Sequence, residues 1–317
     1  MSTTKEERAL LVSTVADLIG RHAGPEAVRA ALDSERGYDE RLWQLLCEQV
    51  GAAALVVPED LGGAGGGLVD AAAVLAELAR HLVPSPLLGS TLAELALLSV
   101  EEPDGDTLGA LAEGSSIGAV VFDPEVVVGG DVADVVIGAA DGALTRWTAF
   151  DAHPLPTMDP TRRLSRLTPR ETVPLGTDPG LADLAALLLA AEQVGAATRC
   201  LDLTVGYAKE RVQFGRPIGS FQALKHRMAD LYVLVQTAGA VVDAALADPS
   251  PESAALAHVT ATEAFGAVAG EAIQIHGGIA ITWECDIQLY FKRAHGSAQL
   301  LGTVGDALRR LEPVALA

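Results

Sequence analysis

From Leu181 to His276 the chain is nearly continuous helix-forming sequence, and that stretch limits the possible fold more than any other. Three long segments, Leu181–Val212, Ser220–Asp248 and Pro251–His276, are rich in Ala, Leu and Val and are separated by short Gly- and Pro-bearing turns. Their apolar faces require a helix bundle. Between the second and third, at Asp248-Pro249-Ser250-Pro251, Ser250 can cap the next helix and Pro251 can occupy its first turn. A fourth segment covers Asp286–Leu311, with an interruption expected near Gly296 or Gly302. Alanine at so many positions permits close helix contact, between subunits as well as within one, so the chain is not expected to be a monomer.

The join between the first two helices, Tyr207 to Tyr232, is a tight loop over Gly215, Pro217 and Gly219, with Ser220 as the expected N-cap. A loop this short makes the two helices antiparallel and lets Arg211, Phe214 and Gln222 gather at one corner. Taken alone, these residues read equally as a salt bridge, a core plug and a cap.

With 317 residues, half of them apolar and a fifth charged, the chain can bury one large core or two smaller ones. Lys and Arg total 22 against 42 Asp and Glu, a formal charge of −20, which argues against nucleic acid or an anionic membrane as partner. An anionic cofactor would need a local cationic cluster. Arg211, Arg216, Lys225 and Arg227 form the densest one outside Arg162 to Arg170. No uninterrupted apolar run has membrane-spanning length, and the start, Met1 to Glu7, lacks the order of a signal peptide, so a cytoplasmic location is expected. Cys47, Cys200 and Cys285 are odd in number and far apart, which implies buried reduced thiols, no disulfide and no metal site.

Residues 1–110 read as a helical domain, with helices over Glu7–Arg21, Asp39–Val50 and Leu68–His81. The glycine-rich run Leu61–Gly67 has no Lys-Ser/Thr after it and no strand-to-helix unit around it, so it reads as a turn that lets helices approach, not as a phosphate cradle. Residues 111–176 change texture. The runs AVVFD, DVVIGA and ALTRWTAFD, separated by Gly, Asp and Pro, indicate a small β-domain. Thr157 to Arg163 reads as a solvated turn leaving that sheet. Residues 177–317 make the bundle, so the fold class is mainly α with a small middle β-domain.

Three motifs occur in a fixed order: Val57-Pro58-Glu59-Asp60-Leu61-Gly62-Gly63-x-Gly65, then Glu210-Arg211-x-x-Phe214-Gly215-x-x-Ile218-x-x-Phe221-Gln222 leading to Met228-Ala229-Asp230, then Gln274-Ile275-x-Gly277-Gly278. Together they resemble the acyl-CoA dehydrogenase family, well at both ends of the chain and poorly in the middle. The resemblance implies a helical domain, a β-domain and a four-helix bundle, and places a helix-connecting loop at Leu61–Gly67. It also implies α,β-desaturation of an acyl-CoA, in which a glutamate removes the α-proton while the β-hydrogen leaves as hydride to FAD. The β-domain looks shortened. It lacks the Thr-Glu-Pro-x-x-Gly-Ser-Asp and Trp-Ile-Thr-Asn segments with which family members hold the flavin ring and thioester, and Trp147 stands in a different setting.

The family's glutamate base has two known positions. Counting from Gly278, the first falls at Leu301, followed by the matching Gly302-Thr303; counting back from Val194-Gly195, the second falls at Ala185, followed by Ala186. Neither residue can take a proton. Glu192, two helical turns beyond Ala185, is the only substitute, and a capped or interface-paired role suits it better. Glu284 and Asp286 suit capping of the last helix better than catalysis.

The family's second set of contacts, made by a neighbouring subunit to the pyrophosphate and adenosine of FAD, matches Arg211, Gln213, Phe214, Ile218, Gln222, Gln274 and Gly278. Arg211 would form a charge-assisted fork with the pyrophosphate, and Gly278 would admit its backbone approach. Gln213 departs from the usual Ser or Thr. The resemblance therefore implies the non-catalytic partner in a heteromeric acyl-CoA dehydrogenase, sharing FAD with a related subunit that carries the base. The partner would hold most of the acyl-CoA, of a bulky steroid side-chain type, and electron-transfer flavoprotein would be the acceptor. Two alternatives stand beside it: a self-sufficient flavoenzyme with other chemistry, such as monooxygenation, and a flavin-free scaffold.

Overall fold

The computed structural model of the chain describes residues 4–315. Six helices come first: α1 (Lys5–His22), α2 (Pro25–Leu32), α3 (Glu40–Val50), α4 (Leu68–Arg80), α5 (Leu87–Leu98) and α6 (Gly105–Ala112). Five strands, β1 (Gly118–Val121), β2 (Val127–Val128), β3 (Val135–Ala140), β4 (Ala143–Leu155) and β5 (Leu164–Thr177), then form one sheet in the order β1-β3-β4-β5-β2. The bundle follows: α7 (Leu181–Glu210), α8 (Gln222–Ala247), α9 (Pro251–His276), α10 (Ile287–Ser297) and α11 (Val304–Ala315). A two-strand hairpin, β6 (Val212–Gln213) with β7 (Arg216–Pro217), joins α7 to α8. The fold is mainly α with a small sheet, as the sequence implies. The expected fourth bundle segment is two helices, interrupted over residues 298–303, where Leu301 and Gly302 both have positive φ.

Local chemistry sets most boundaries. Thr4 and Glu7 make a reciprocal capping box at α1, and Ser250 caps α9 with Pro251 in the first turn. Ser220 does not cap α8. Its hydroxyl donates instead to the Pro217 carbonyl at 2.7 Å, and Phe221 takes the N-cap position without a side-chain bond. Ser220 therefore closes the preceding turn. The glycine-rich loop before α4 folds back on residues 54–57 through Ala64 N–H to Ala54 O and Gly65 N–H to Val57 O. It leads from the short turn over residues 59–61 into α4.

The sheet contains one strand that the sequence obscures. Pro169 and Pro174 argue against a strand over 164–177, yet β5 pairs along β4 for most of its length. Only Leu164 and Ser165 also pair with β2, so the rest of β5 is an edge where a missing N–H breaks no ladder. The β3–β4 turn is Asp141-Gly142, both with positive φ, the two-residue hairpin chemistry.

One apolar core runs from α1, α3, α4 and α5 through α7 into α8, α9 and α10. Helix α7 is its axis, and every residue from Ala185 to Gln193 is buried. At Gly195 α7 lies directly against α4, where a Cβ would stand 2.1 Å from the Ala76 carbonyl oxygen. Although none is an uninterrupted apolar run, α7, α8 and residues 251–281 are each long and apolar enough, by length and composition, to cross a membrane. Their few charged residues are spread out, which lets a long window stay apolar. In α7, 72% of that window is buried inside the protein, which accounts for its composition; in α8 only 33% is. Tyr232, Val233 and Leu234 accordingly leave α8 open on one side, 58%, 61% and 44% exposed. Cys47 and Cys200 are buried, whereas Cys285 is half-buried; all three are free.

Candidate functional site

A cavity of about 700 Å³ opens where the sheet meets the bundle. Its walls come from α5, β1, the residues after β4, the first turns of α7 and the link between α10 and α11. Leu88, Leu92, Val120, Leu164 and Leu189 make it largely apolar. Both positions expected to carry a base lie in this wall: Ala185 on α7, and Leu301 in the link. Neither side chain carries a proton acceptor.

Beside the cavity is a buried ionic cluster. Arg162 donates through Nη2 to Glu192 Oε1 at 2.7 Å, and Arg293 pairs with the same oxygen. Arg293 also lies 3.7 Å from Asp159 Oδ2, and it donates to the Thr161 carbonyl and hydroxyl at 3.0 Å. Asp159 Oδ1 accepts from Thr161 N–H and Oγ1–H. Burial pushes the Arg162 guanidinium down to about 10, and burial together with the neighbouring Arg162 pushes Arg293 down to about 9. Both stay cationic at neutral pH. Glu192 is therefore a shared acceptor for two guanidiniums, and it borders a separate void of about 60 Å³ and not the large cavity.

This corrects the expectation for residues 157–163. Asp159, Thr161 and Arg162 are buried, not solvated, because Glu192 of α7 and Arg293 of α10 neutralise and bind the segment. Nothing local reveals those partners. Asp-Pro-Thr-Arg-Arg has the composition of an exposed turn, and pairing with residues 30 and 132 positions away leaves no periodic signal; the unexplained Glu within apolar α7 is the one hint.

The residues expected to touch FAD lie at the other end of α7. The hairpin turns on Phe214 and Gly215, both with positive φ, and Ile218 N–H donates to Arg211 O at 2.8 Å. Arg216 lies over the Phe221 ring at 4.0 Å, and Phe214 meets Phe221 edge-on. Arg211, Gln213, Phe214 and Gln222 are exposed, Phe214 by 93%, and Ile218 is half-buried. The gathering at one corner is thus one of backbone; the Arg211 and Gln222 side chains point to solvent. Tyr207 stacks on His276 with ring centroids 4.2 Å apart and donates to its carbonyl, which brings the end of α9 beside the hairpin. Gln274 and Gly278 are exposed there, and nothing lies within 4 Å of a Cβ built on Gly278. A guanidinium, amides and open backbone suit a pyrophosphate. Asp286, expected to cap the last helix, sits at the N-cap of α10 but spends its carboxylate on Arg29 at 2.6 Å.

Residues 5–104 match the acyl-CoA dehydrogenase N-terminal domain, and residues 182–307 match the C-terminal domain. Over 310 residues the chain is 67% identical to "Acyl-CoA dehydrogenase IpdE2" of Mycobacterium tuberculosis (strain ATCC 25618 / H37Rv), covering 98% of each protein. The chain belongs to the acyl-CoA dehydrogenase family. Among solved acyl-CoA dehydrogenase structures, one similar fold is the Tcur3481-Tcur3483 steroid ACAD, with TM-score 0.90, 27% identity and 99% of each chain covered. Another is the ChsE4-ChsE5 complex from Mycobacterium tuberculosis, with TM-score 0.88 and 26% identity over 98% of this chain and 97% of that one. The two domain matches leave the sheet between them, the region where acyl-CoA dehydrogenase motifs are hardest to find in this sequence.

Proposed function

We propose that this chain is the non-catalytic subunit of a heteromeric, FAD-dependent acyl-CoA dehydrogenase, and that its hairpin end holds the pyrophosphate and adenosine of an FAD whose reacting ring lies in a related subunit. One observation carries the reading. Ala185, in the cavity wall, and Arg211, at the hairpin, stand at opposite ends of α7, about 39 Å apart at 1.5 Å per residue. A single flavin dinucleotide cannot reach from one to the other, so the hairpin serves a site other than this chain's own cavity.

Bound FAD would supply the hydride acceptor of the desaturation. This chain's part is to bind it. Arg211 forks the pyrophosphate, Gln213, Gln222 and Gln274 offer amide donors, Phe214 and Ile218 cover the cofactor edge, and Gly278 admits close backbone approach. The proton acceptor belongs to the partner, because Ala185 and Leu301 have none and Glu192 is engaged by Arg162 and Arg293. The open face of α8 suits assembly with that partner. The steroid ACAD among the similar structures supports a bulky thioester of the steroid side-chain type as substrate. The partner would hold most of it, an electron-transfer flavoprotein would be the acceptor, and the location would be the cytoplasm.

Flavin absorbance per chain tests this. The chain purified alone is expected to carry none, and the co-purified pair about one FAD per two chains. Arg211→Ala should strip FAD from the pair. A full complement of FAD in the chain alone would overturn the proposal, and retention of FAD by the Arg211→Ala pair would remove the hairpin from it.

A further inference from the structure

We propose that residues 298–303 and α11 form a proton-operated lid on the cavity, in which uptake of a proton by His258 of α9 loosens α11 and frees the link that carries Leu301.

The lid is lightly attached. Val304, Ala307 and Leu311 of α11 pack on Ala255 and Val259 of α9 in a cluster of their own, apart from the core that runs through α7 to α10. Arg310 adds an ion pair with Asp183 of α7 at 2.5 Å and a bond to the Pro251 carbonyl at 3.2 Å. A small satellite cluster opens more readily than a main core. The link also contains a hinge. Leu301 has φ 61°, which a leucine side chain disfavours, and Gly302 follows with φ 94°. Thr303 and Asp306 then cap α11 reciprocally, so the start of the helix moves with the link. Gln299, Leu300, Leu301 and Gly302 line the cavity, and displacing them opens its wall.

His258 is the trigger. It is 3% exposed, neither ring nitrogen has a hydrogen-bond partner, and the Gly302 backbone stands against the ring. Arg310 is the charged group that bears on it. Asp183 of α7 is spent on Arg310, Asp306 of α11 is spent on Thr303 and Arg309, and among the described residues α8 and α10 bring no charge to the ring. A proton on His258 therefore makes a buried cation with no carboxylate partner, beside a second cation. Burial holds the imidazole below its usual 6.5, with the Gly302 backbone opposing that shift and Arg310 adding to it. When α11 lifts, water reaches the ring and its ordinary value returns. The open form thus binds the proton more tightly. As pH falls through 6.5, each further unit favours opening by up to about tenfold until the closed form titrates as well.

Hydrogen exchange of the full chain at about pH 7.5 and about pH 5.5, corrected for intrinsic exchange rates, tests the lid. Amides of residues 299–303 and α11 are expected to lose about three- to tenfold of their protection in acid, while residues 185–193 of α7 keep theirs. His258→Gln, which cannot take up the proton, should show equal protection at both pH values. His258→Phe should behave likewise, and it replaces the glutamine variant if circular dichroism shows that variant to be misfolded. Unchanged protection of α11 in the parent, an equal loss throughout α7, or an acid response that survives in a folded variant would each overturn the proposal.

Discussion

Glu94 has the least comfortable position of any carboxylate here. It is fully buried on α5, neither oxygen has a hydrogen-bond partner, and burial pushes the carboxyl well above its usual range, so it is held as the acid. The unfolded chain releases that proton near the ordinary value of 4.5, whereas the folded chain keeps it. Below that pH both states are protonated and the group costs nothing extra. Above it, stability falls by about 1.4 kcal/mol per pH unit until the folded group titrates. Glu94→Gln is therefore expected to match the parent in urea unfolding at pH 4.5 and to gain on it as the pH rises above that value. A parallel pH dependence for the two proteins would contradict this. Glu192→Gln removes the negative charge that Arg162 and Arg293 share, and a loss of about 3–5 kcal/mol in urea unfolding is expected. At this scale the sequence is half legible. Leu301 and Ala185 can be found by counting from motifs, and both do line one cavity. Asp159, Thr161 and Arg162 cannot, because burial of a charged turn depends on partners that only the folded chain brings near.

Helix α7 shows what a single element has to satisfy. It contacts α4 so closely at Gly195 that Gly195→Ala is expected to destabilise by about 1–3 kcal/mol, the clash being with backbone that cannot rotate away. Gly266 on α9 has open space where a Cβ would stand, so Gly266→Ala should instead stabilise by about 0.5–1 kcal/mol through helix propensity. Thermal unfolding of the two variants side by side checks both signs. The bundle helices are legible because Ala, Leu and Val recur over long windows with clear stops at Gly and Pro, and Ser250-Pro251 does begin α9. Strand β5 is not, since its prolines are tolerated only by an edge whose outer side is unpaired, a property of the sheet and not of the segment. Ser220 misleads for a similar reason: a serine before a helix can close the turn behind it as well as cap the helix ahead.

For the whole molecule, the open face of α8 and the hairpin end of α7 point outward together. Val233→Glu, at a position 61% exposed, should leave the stability of the isolated chain within about 0.5 kcal/mol but abolish its co-elution with the related subunit in size-exclusion chromatography. Unimpaired co-elution would free α8 from the interface. The buried ionic cluster acts at this scale too, since it ties the connection after β4 to α7 and α10. During synthesis Asp159, Arg162 and Glu192 are made long before Arg293. A nascent chain that stops short of α10 holds two carboxylates against one guanidinium. The seam between sheet and bundle therefore lacks Arg293 as its latch until α10 is made, and its closure on the ribosome is expected to follow synthesis of α10.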